Sequence, residues 1–310
     1  MKTLLVLAAT LLCTPVVAQE ALLPSPSQGI QLPYGSVAAQ DDATALEINP
    51  AGLAFMETGE LGFGYDAAAD DFRQVSNESN AFFMAAGNGI VGTGFSFQGL
   101  SQPSGGALLD TYRKYTWGAA IAIPQRLSLG FNVNWFGSSD SQRLDELVSY
   151  DLGVQLRLGE HVALGAMLRD VNEPFLSASA ATRMRTMFGV HIRLFSGRLQ
   201  LDSTSTTVPE VDAMEWTPRL MLEPLSGLRI FASARAVLDN RPGQDDFDLR
   251  EIWGGLELSF SSFGVAYAPT IARGANDDFK LAGLRAYHWF SPSKQRGLFA
   301  GSSRWISVNL

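Results

Sequence analysis

One rhythm constrains this chain more than any other feature. From residue 59 to residue 290, short turn-like connections alternate with long polar ones, and the segments between them have period two. At 126–136, RLSLGFNVNWF sets Leu127, Leu129, Phe131, Val133 and Trp135 against Ser128, Gly130, Asn132 and Asn134. At 147–158, LVSYDLGVQLRL sets Val148, Tyr150, Leu152, Val154, Leu156 and Leu158 against Ser149, Asp151, Gly153, Gln155 and Arg157. Side chains alternate faces along a strand, so each segment is a strand with one apolar and one polar face. The same pattern recurs at 111–123, 161–170, 182–194, 214–223, 227–237, 248–260 and 262–269. Fainter versions at 59–66, 80–86, 90–98, 197–205 and 280–290 bring the count to fourteen.

The connections carry the fold class. Short turns fall at 87–89, 124–126, 159–161, 196–198, 225–227 and 261–262; long polar segments fall at 67–78, 99–110, 138–146, 171–181, 206–213, 238–247 and 270–279. Short periplasmic turns, longer outer loops, an even strand count and strands long enough to cross hydrocarbon at a tilt define a transmembrane β-barrel. An open sheet fails there, because every backbone group in lipid needs a partner. Soluble sandwiches and propellers also alternate, but they do not keep a strict short/long order through six successive hairpins. The expected class is all-β: an antiparallel transmembrane β-barrel of about fourteen strands over 59–290. Tyr115, Trp117, Trp135, Phe136, Trp216, Phe260 and Trp289 lie near strand ends, where an interfacial girdle belongs.

If the apolar faces meet lipid, the polar faces line the lumen. They carry Arg157, Arg169, Arg183, Arg185, Arg193, Arg219, Arg229 and Arg235, with Asp151, Glu223, Glu251 and Glu257 on the same side. A charge on the lipid face at mid-depth costs about 2–4 kcal/mol, which fixes the faces. These charges stiffen the wall by cross-strand pairing, mark a path for a substrate, or do both.

Residues 1–18 read as a signal peptide. Lys2 precedes an apolar run from Leu4 to Leu12, and Val16 and Ala18 form a V-x-A cleavage site. The sole cysteine, Cys13, lies inside it, so the mature chain is expected to have no thiol for disulfides, metals or nucleophilic chemistry. Removing Lys2 takes the formal charge from −8 to −9, which argues against a nucleic-acid partner. Lipid of the outer membrane is the expected surrounding.

The remaining N-terminal segment, 19–58, is unlike the strands. DDATALEINPAGLAFM at 41–56 carries Asp41, Asp42 and Glu47, then Asn49, Pro50 and Ala51. Pro50 removes a donor and interrupts regular structure. Buried carboxylates need partners, and the lumen arginines between 147 and 237 are available to them. The stretch SVAAQDDATALEINPAGLAFM at 36–56 resembles the N-terminal segment of the FadL family, outer-membrane channels for long-chain fatty acids and aromatic hydrocarbons. The shared pattern is small residues (Ala38, Ala39), an acidic pair with alanine (Asp41, Asp42, Ala43), and Asn-Pro-Ala (Asn49, Pro50, Ala51) just before the first strand. The resemblance implies a segment folded into the lumen as a hatch, and passive uptake of small hydrophobic molecules without a cofactor. Related barrels with the same motif act as secretion or assembly partners. The alternative is therefore a non-conducting barrel that anchors a periplasmic or secreted partner, such as a protease-like domain.

Two features depart from the transport pattern. The outer loops are brief, and 99–110 offers only Leu100, Ala107, Leu108 and Leu109 as a capture surface. Residues 291–310 follow the last strand, as a periplasmic tail, the start of a further domain, or a strand that closes the barrel. Gly87–Gly94 is rich enough in glycine to bend a strand. Catalytic motifs are poor. GNGIVG at 87–92 precedes no helix pattern, His161, His191 and His288 lack metal-ligand spacing, and no Gly-x-Ser-x-Gly elbow occurs.

Overall fold

A computed structural model describes residues 27–69, 78–103, 109–138, 144–145, 147–177, 180–208, 213–239, 247–273 and 278–292. Residues 1–26, with the expected signal peptide at 1–18, and the expected tail beyond 292 lie outside the described residues.

The strands in chain order are β1 Gly59–Ala68, β2 Glu78–Gly87, β3 Val91–Pro103, β4 Leu109–Ile123, β5 Leu127–Gly137, β6 Val148–Leu158 and β7 Val162–Arg169. They continue as β8 Phe175–Ser177, β9 Ala180–Ala181, β10 Arg185–Leu194, β11 Leu199–Val208, β12 Ala213–Leu225, β13 Leu228–Asp239, β14 Asp248–Ser259, β15 Phe263–Arg273 and β16 Phe279–Phe290. Fourteen of them close into one antiparallel barrel, each paired with its neighbours in sequence; β8 and β9 form a separate hairpin inside the 171–181 connection. All fourteen period-two segments are barrel strands. Closure is made by β1 and β16, from Leu61↔Phe290 to Ala68↔Gly283, so the residues after 290 are not needed for it.

Phase assigns the faces. Phe63, Ile121 and Phe188 are each more than half exposed on the outer face, while Gln98, Thr116, Asn132, Ser149 and Gln155 are fully buried inside. Apolar outside and polar inside is the inverse of a soluble barrel, and it suits hydrocarbon as the surrounding solvent. The girdle assignment is corrected at two positions. Trp117 and Trp135 face outward, but Phe136 and Trp289 are buried on the lumen side. Nearness to a strand end does not set a face; Phe136 follows Asn132 and Asn134 in phase, and Trp289 follows Arg285 and Tyr287.

Two further expectations change. β3 and β4 run to Pro103 and from Leu109, so the connection read at 99–110 is mostly strand. Leu100 faces inward, in a cluster with Tyr112, Phe136, Leu144 and Leu147. Gly87–Gly94 does not bend the wall, since β2 and β3 stay in register from Glu78↔Ser101 to Gly87↔Gly92. The irregularities lie across the barrel. Register shifts occur at Leu222/Leu225, Arg235/Ala236 and Thr270/Ile271. Between Trp216↔Ala236 and Arg219↔Ser233 the β12–β13 ladder skips Thr217 and Pro218. The β14–β15 ladder skips Gly254 and Gly255, opposite Ala268 and Pro269. Proline cannot donate to a ladder, so the gap at Pro218 follows from sequence.

Candidate functional site: the lumen segment and two cavities

Residues 27–58 lie inside the barrel. Ser27 hydrogen-bonds Asp170, just past the long-loop end of β7. The chain then descends to Asp41, which meets Arg157 one residue from a short turn, at 3.1 Å. It rises through a short helix, α1 (Ala45–Ile48), to Glu47, and descends again as a 3-10 helix (Pro50–Phe55) that leads to β1. The apolar residues of this path, Leu46, Leu53, Ala54, Phe55 and Met56 among them, share one buried cluster with Ala81, Phe83 and Ala85 of β2 and Ala120 and Ala122 of β4. The apolar run at 51–56 therefore supplies the barrel's own core.

Three polar anchors hold the segment. Glu47 is buried, and its carboxylate accepts from Lys114 at 2.8 Å, Gln98 at 2.9 Å and the backbone of Gly29 at 2.9 Å, with Arg169 at 3.3 Å. Burial alone would raise this carboxyl, but the Lys114 and Arg169 cations hold it below its ordinary value. Arg169 also donates to the Glu47 carbonyl at 2.7 Å. Arg157, besides meeting Asp41, lies 3.9 Å over the ring of Phe55. Asp42 is held within the segment, accepting from Gln40 at 2.8 Å and from the Thr44 backbone at 2.9 Å.

Asn49 is the third anchor and explains the Asn-Pro-Ala motif. Its amide nitrogen reaches the Val37 carbonyl at 2.7 Å and the wall carbonyls of Val154 and Ala166 at 3.1 and 3.3 Å. Its oxygen accepts from Ala51 at 3.1 Å and caps the 3-10 helix. Pro50 then occupies the first helical position, where a missing N–H loses nothing. Gln155 and Asn132 add bonds from the wall to backbone carbonyls of Val37, Gln40 and Leu46.

The wall beneath is made of glycine. Gly92, Gly118, Gly130, Gly153, Gly165 and Gly189 sit on the lumen face of β3, β4, β5, β6, β7 and β10, which are adjacent around the barrel. A Cβ on Gly130 would come within 2.6 Å of the Pro50 carbonyl oxygen, and one on Gly165 within 2.6 Å of Ala38 Cα. Only glycine lets the two backbones approach so closely.

On the other side the segment leaves space. A cavity of about 170 Å³ lies toward the long loops, between Gln28–Gly35 and wall residues including Met187, Thr206, Thr217, Arg235 and Trp253. A second, of about 80 Å³, lies toward the short turns, lined by Asp41, Asp42, Arg193, Gln200 and Arg229 among others. Tyr34, Asp202 and Arg219 border both. The partition is therefore Tyr34–Ser36, with Ser36 hydrogen-bonded to Asp202 and Arg219 bridging the same carboxylate at 3.1 Å. Tyr34 packs edge-on against Phe231 and Tyr287, at 6.0 and 6.5 Å between ring centres.

The remaining lumen charges pair across the wall. Arg229 bridges Glu223 at 3.1 Å and Glu257 at 3.2 Å, and Arg235 meets Glu251 at 3.5 Å. Asp151 accepts from Asn134 at 2.8 Å and from the Asp170 backbone at 3.1 Å. Arg185 and Arg193 lie on the lumen phase of β10. Arg183 does not: it is exposed on the segment between β9 and β10, where Thr182 is tied to the Pro174 carbonyl instead of the wall. Lys114, Gln98, Asp202 and Arg285 join the lumen charges and dipoles expected from sequence, each in phase with its strand's polar face. Asp202 also meets His191 Nδ1 at 3.2 Å. Serine, carboxylate and imidazole thus converge here, but Ser36 donates to the carboxylate, whereas an activated nucleophile donates to the imidazole.

Fold and lumen together define a transmembrane β-barrel with an N-terminal segment folded into its bore. The fold is FadL-like. Among solved structures it is similar to the CymD monoaromatic hydrocarbon channel, at 11% identity and TM-score 0.57, covering 83% of this chain and 94% of that one. It is also similar to the Pseudomonas putida toluene transporter TodX, at 11% identity and TM-score 0.52, covering 85% and 98%. A Pseudomonas aeruginosa FadL homologue aligns at 12% identity and TM-score 0.51, covering 82% and 94%. No protein-family profile matches the sequence, and no curated protein matches it.

Proposed function

We propose that this protein is an outer-membrane channel for passive uptake of small hydrophobic compounds, with residues 27–58 as its hatch. The observation that carries the reading is the pair of cavities meeting at Tyr34–Ser36. One lies toward the outer loops and the other toward the periplasmic turns. What divides them is one ring, Tyr34, packed against Phe231 and Tyr287, and one polar contact, Ser36 with Asp202 and Arg219. The named activities of the structural neighbours, hydrocarbon and toluene channels, agree with a hydrophobic cargo.

A specific observation favours a second reading, in which the barrel does not conduct and anchors a periplasmic or secreted partner. The hatch is seated on glycines of six strands, backbone-to-backbone at four of them, and pinned by buried ion pairs at Glu47, which is more fastening than a gate needs. The two readings separate in proteoliposomes. Radiolabelled toluene and a long-chain fatty acid should enter faster than into empty vesicles, and faster again with Tyr34→Ala. Entry at the empty-vesicle rate for both proteins, with phenol as well as with these two compounds, defeats the channel and leaves the anchor.

A further inference from the structure

The outer cavity has two chemically different sides. The hatch contributes apolar side chains, Ile30, Leu32, Val37 and Ile48. The facing strands β11–β13 contribute hydroxyls, Thr204, Thr206, Thr217 and Ser233. The volume, about 170 Å³, is enough for one ring, since a cavity of roughly 150 Å³ admits benzene.

The charges at this cavity are already matched. Arg169 faces Glu47, Arg219 faces Asp202, and Arg235 and Arg285 both face Glu251. Asp66 lies 3.9 Å from Arg285, Glu215 stands in the wall, and Lys114 binds Glu47 from behind. Each of the four arginines that line the cavity thus already faces a carboxylate, and an incoming anion finds no unpaired cation. It would have to compete with carboxylates already in place, after losing its own hydration. A bare hydrocarbon meets the opposite difficulty. It must displace water from the hydroxyl wall and return no hydrogen bond, leaving polar groups desolvated at about 1–3 kcal/mol each.

We infer that the outer cavity is a binding site for small neutral amphiphiles of the phenol class: one apolar ring face against Ile30 and Leu32, one uncharged hydroxyl on the threonines of β11 and β12. This rests on the channel reading and names its cargo class. It differs from the cargo in the names of the structural neighbours, which are hydrocarbons. The selection is physical. A site built to hydrogen-bond a hydroxyl rejects the analogue that lacks it far more strongly than an apolar site rejects the analogue that has it.

The test is equilibrium dialysis of phenol, toluene and benzoate against the full chain in nanodiscs, with empty nanodiscs subtracting uptake by lipid. Phenol is expected to bind saturably, at least about tenfold tighter than either relative. The double variant Thr206→Val, Thr217→Val should reduce the phenol-to-toluene preference by about tenfold, whereas Thr93→Val, on the outer face, should not move it. Toluene or benzoate binding as tightly as phenol, no saturable phenol binding, or a preference unmoved by the double variant would each overturn the inference. Tight toluene binding with proteoliposome entry intact would leave the channel standing and remove only the cargo class. Phenol binding with no entry of any compound would do the reverse.

Discussion

The two sides of the bore solve opposite problems with the same strand geometry. On β3–β7 and β10 six glycines leave the wall without a Cβ where the lumen segment rests, on backbone at Gly92, Gly130, Gly165 and Gly189 and on side chains of Leu46 and Asn49 at Gly118 and Gly153. Every ladder on that side keeps its register. On β12–β16 the wall carries long side chains matched in ion pairs, the ladders shift or skip at Pro218 and at Gly254–Gly255, and cavities remain. Close seating demands regularity, because glycines on adjacent strands must keep a fixed offset of zero or two residues for a continuous seat to exist. Paired arginines and glutamates tolerate irregularity, because a long side chain can reach a partner one residue up or down. One side therefore fixes the lumen segment, and the other leaves room beside it.

The largest expected effect tests whether the fixing is real. Glu47→Gln keeps the shape but leaves Lys114 and Arg169 buried against a neutral group, and breaking a buried ion pair costs about 3–5 kcal/mol. Denaturant unfolding of the reconstituted barrel should show that loss, and protease should reach 27–58 sooner. The pH dependence has a defined sign. The folded Glu47 carboxyl lies below its ordinary value, so its contribution is complete above the unfolded value of about 4.3 and is lost as pH falls through the folded one. The gap between wild type and Glu47→Gln should hold constant from pH 8 to about 5 and close only in stronger acid. A gap that closes near neutrality contradicts this account of Glu47.

Next in size is a matched pair of insertions. Gly130→Leu drives a side chain into the Pro50 carbonyl and should cost about 1–3 kcal/mol or more, as overpacking does. Thr217→Leu puts a bulky residue into the outer cavity, where space exists, and should stay within about 0.5 kcal/mol. Unfolding midpoints measured side by side decide it. Equal losses would mean the two sides are not different in kind.

Much of this was legible in the sequence. Period two placed all fourteen strands, because a wall with lipid outside and polar bore inside writes its phase into every residue. The anchoring acids were also legible: Asp41 meets Arg157 and Glu47 meets Arg169. What escaped depends on height along the strand, not phase. Gly92, Gly118, Gly130, Gly153, Gly165 and Gly189 stand out as a band only once register sets Gly130 opposite Gly153, Gly165 opposite Gly189 and the others two residues off their neighbours, and register between strands is set by turns and pairing, not by any one segment. Lys114 escaped for another reason. Its strand reads strongly from Tyr115, Trp117 and Ile121, which drew the phase to the outer face and hid the cation on the inner one. Arg183 was misplaced because apolar alternation cannot say where pairing starts, and the tie from Thr182 to Pro174 delays β10 to Arg185.

The smallest prediction runs in the stabilising direction. Pro218 lies in the interior of β12 and its carbonyl accepts from Ser233 Oγ at 2.8 Å, so its nitrogen side also faces β13. The register is the same above and below the gap, which sets Pro218 opposite Ala234. Pro218→Val restores a donor at that level, on an outward-facing position that suits a β-branched apolar residue. One recovered ladder bond is worth about 0.5–1.5 kcal/mol, and the unfolding midpoint should rise by that amount with Glu47 and the glycine seat untouched. If uptake in proteoliposomes falls as stability rises, the irregular side owes its looseness to function. If uptake is unchanged, the proline is a local defect that the ion pairs around it absorb.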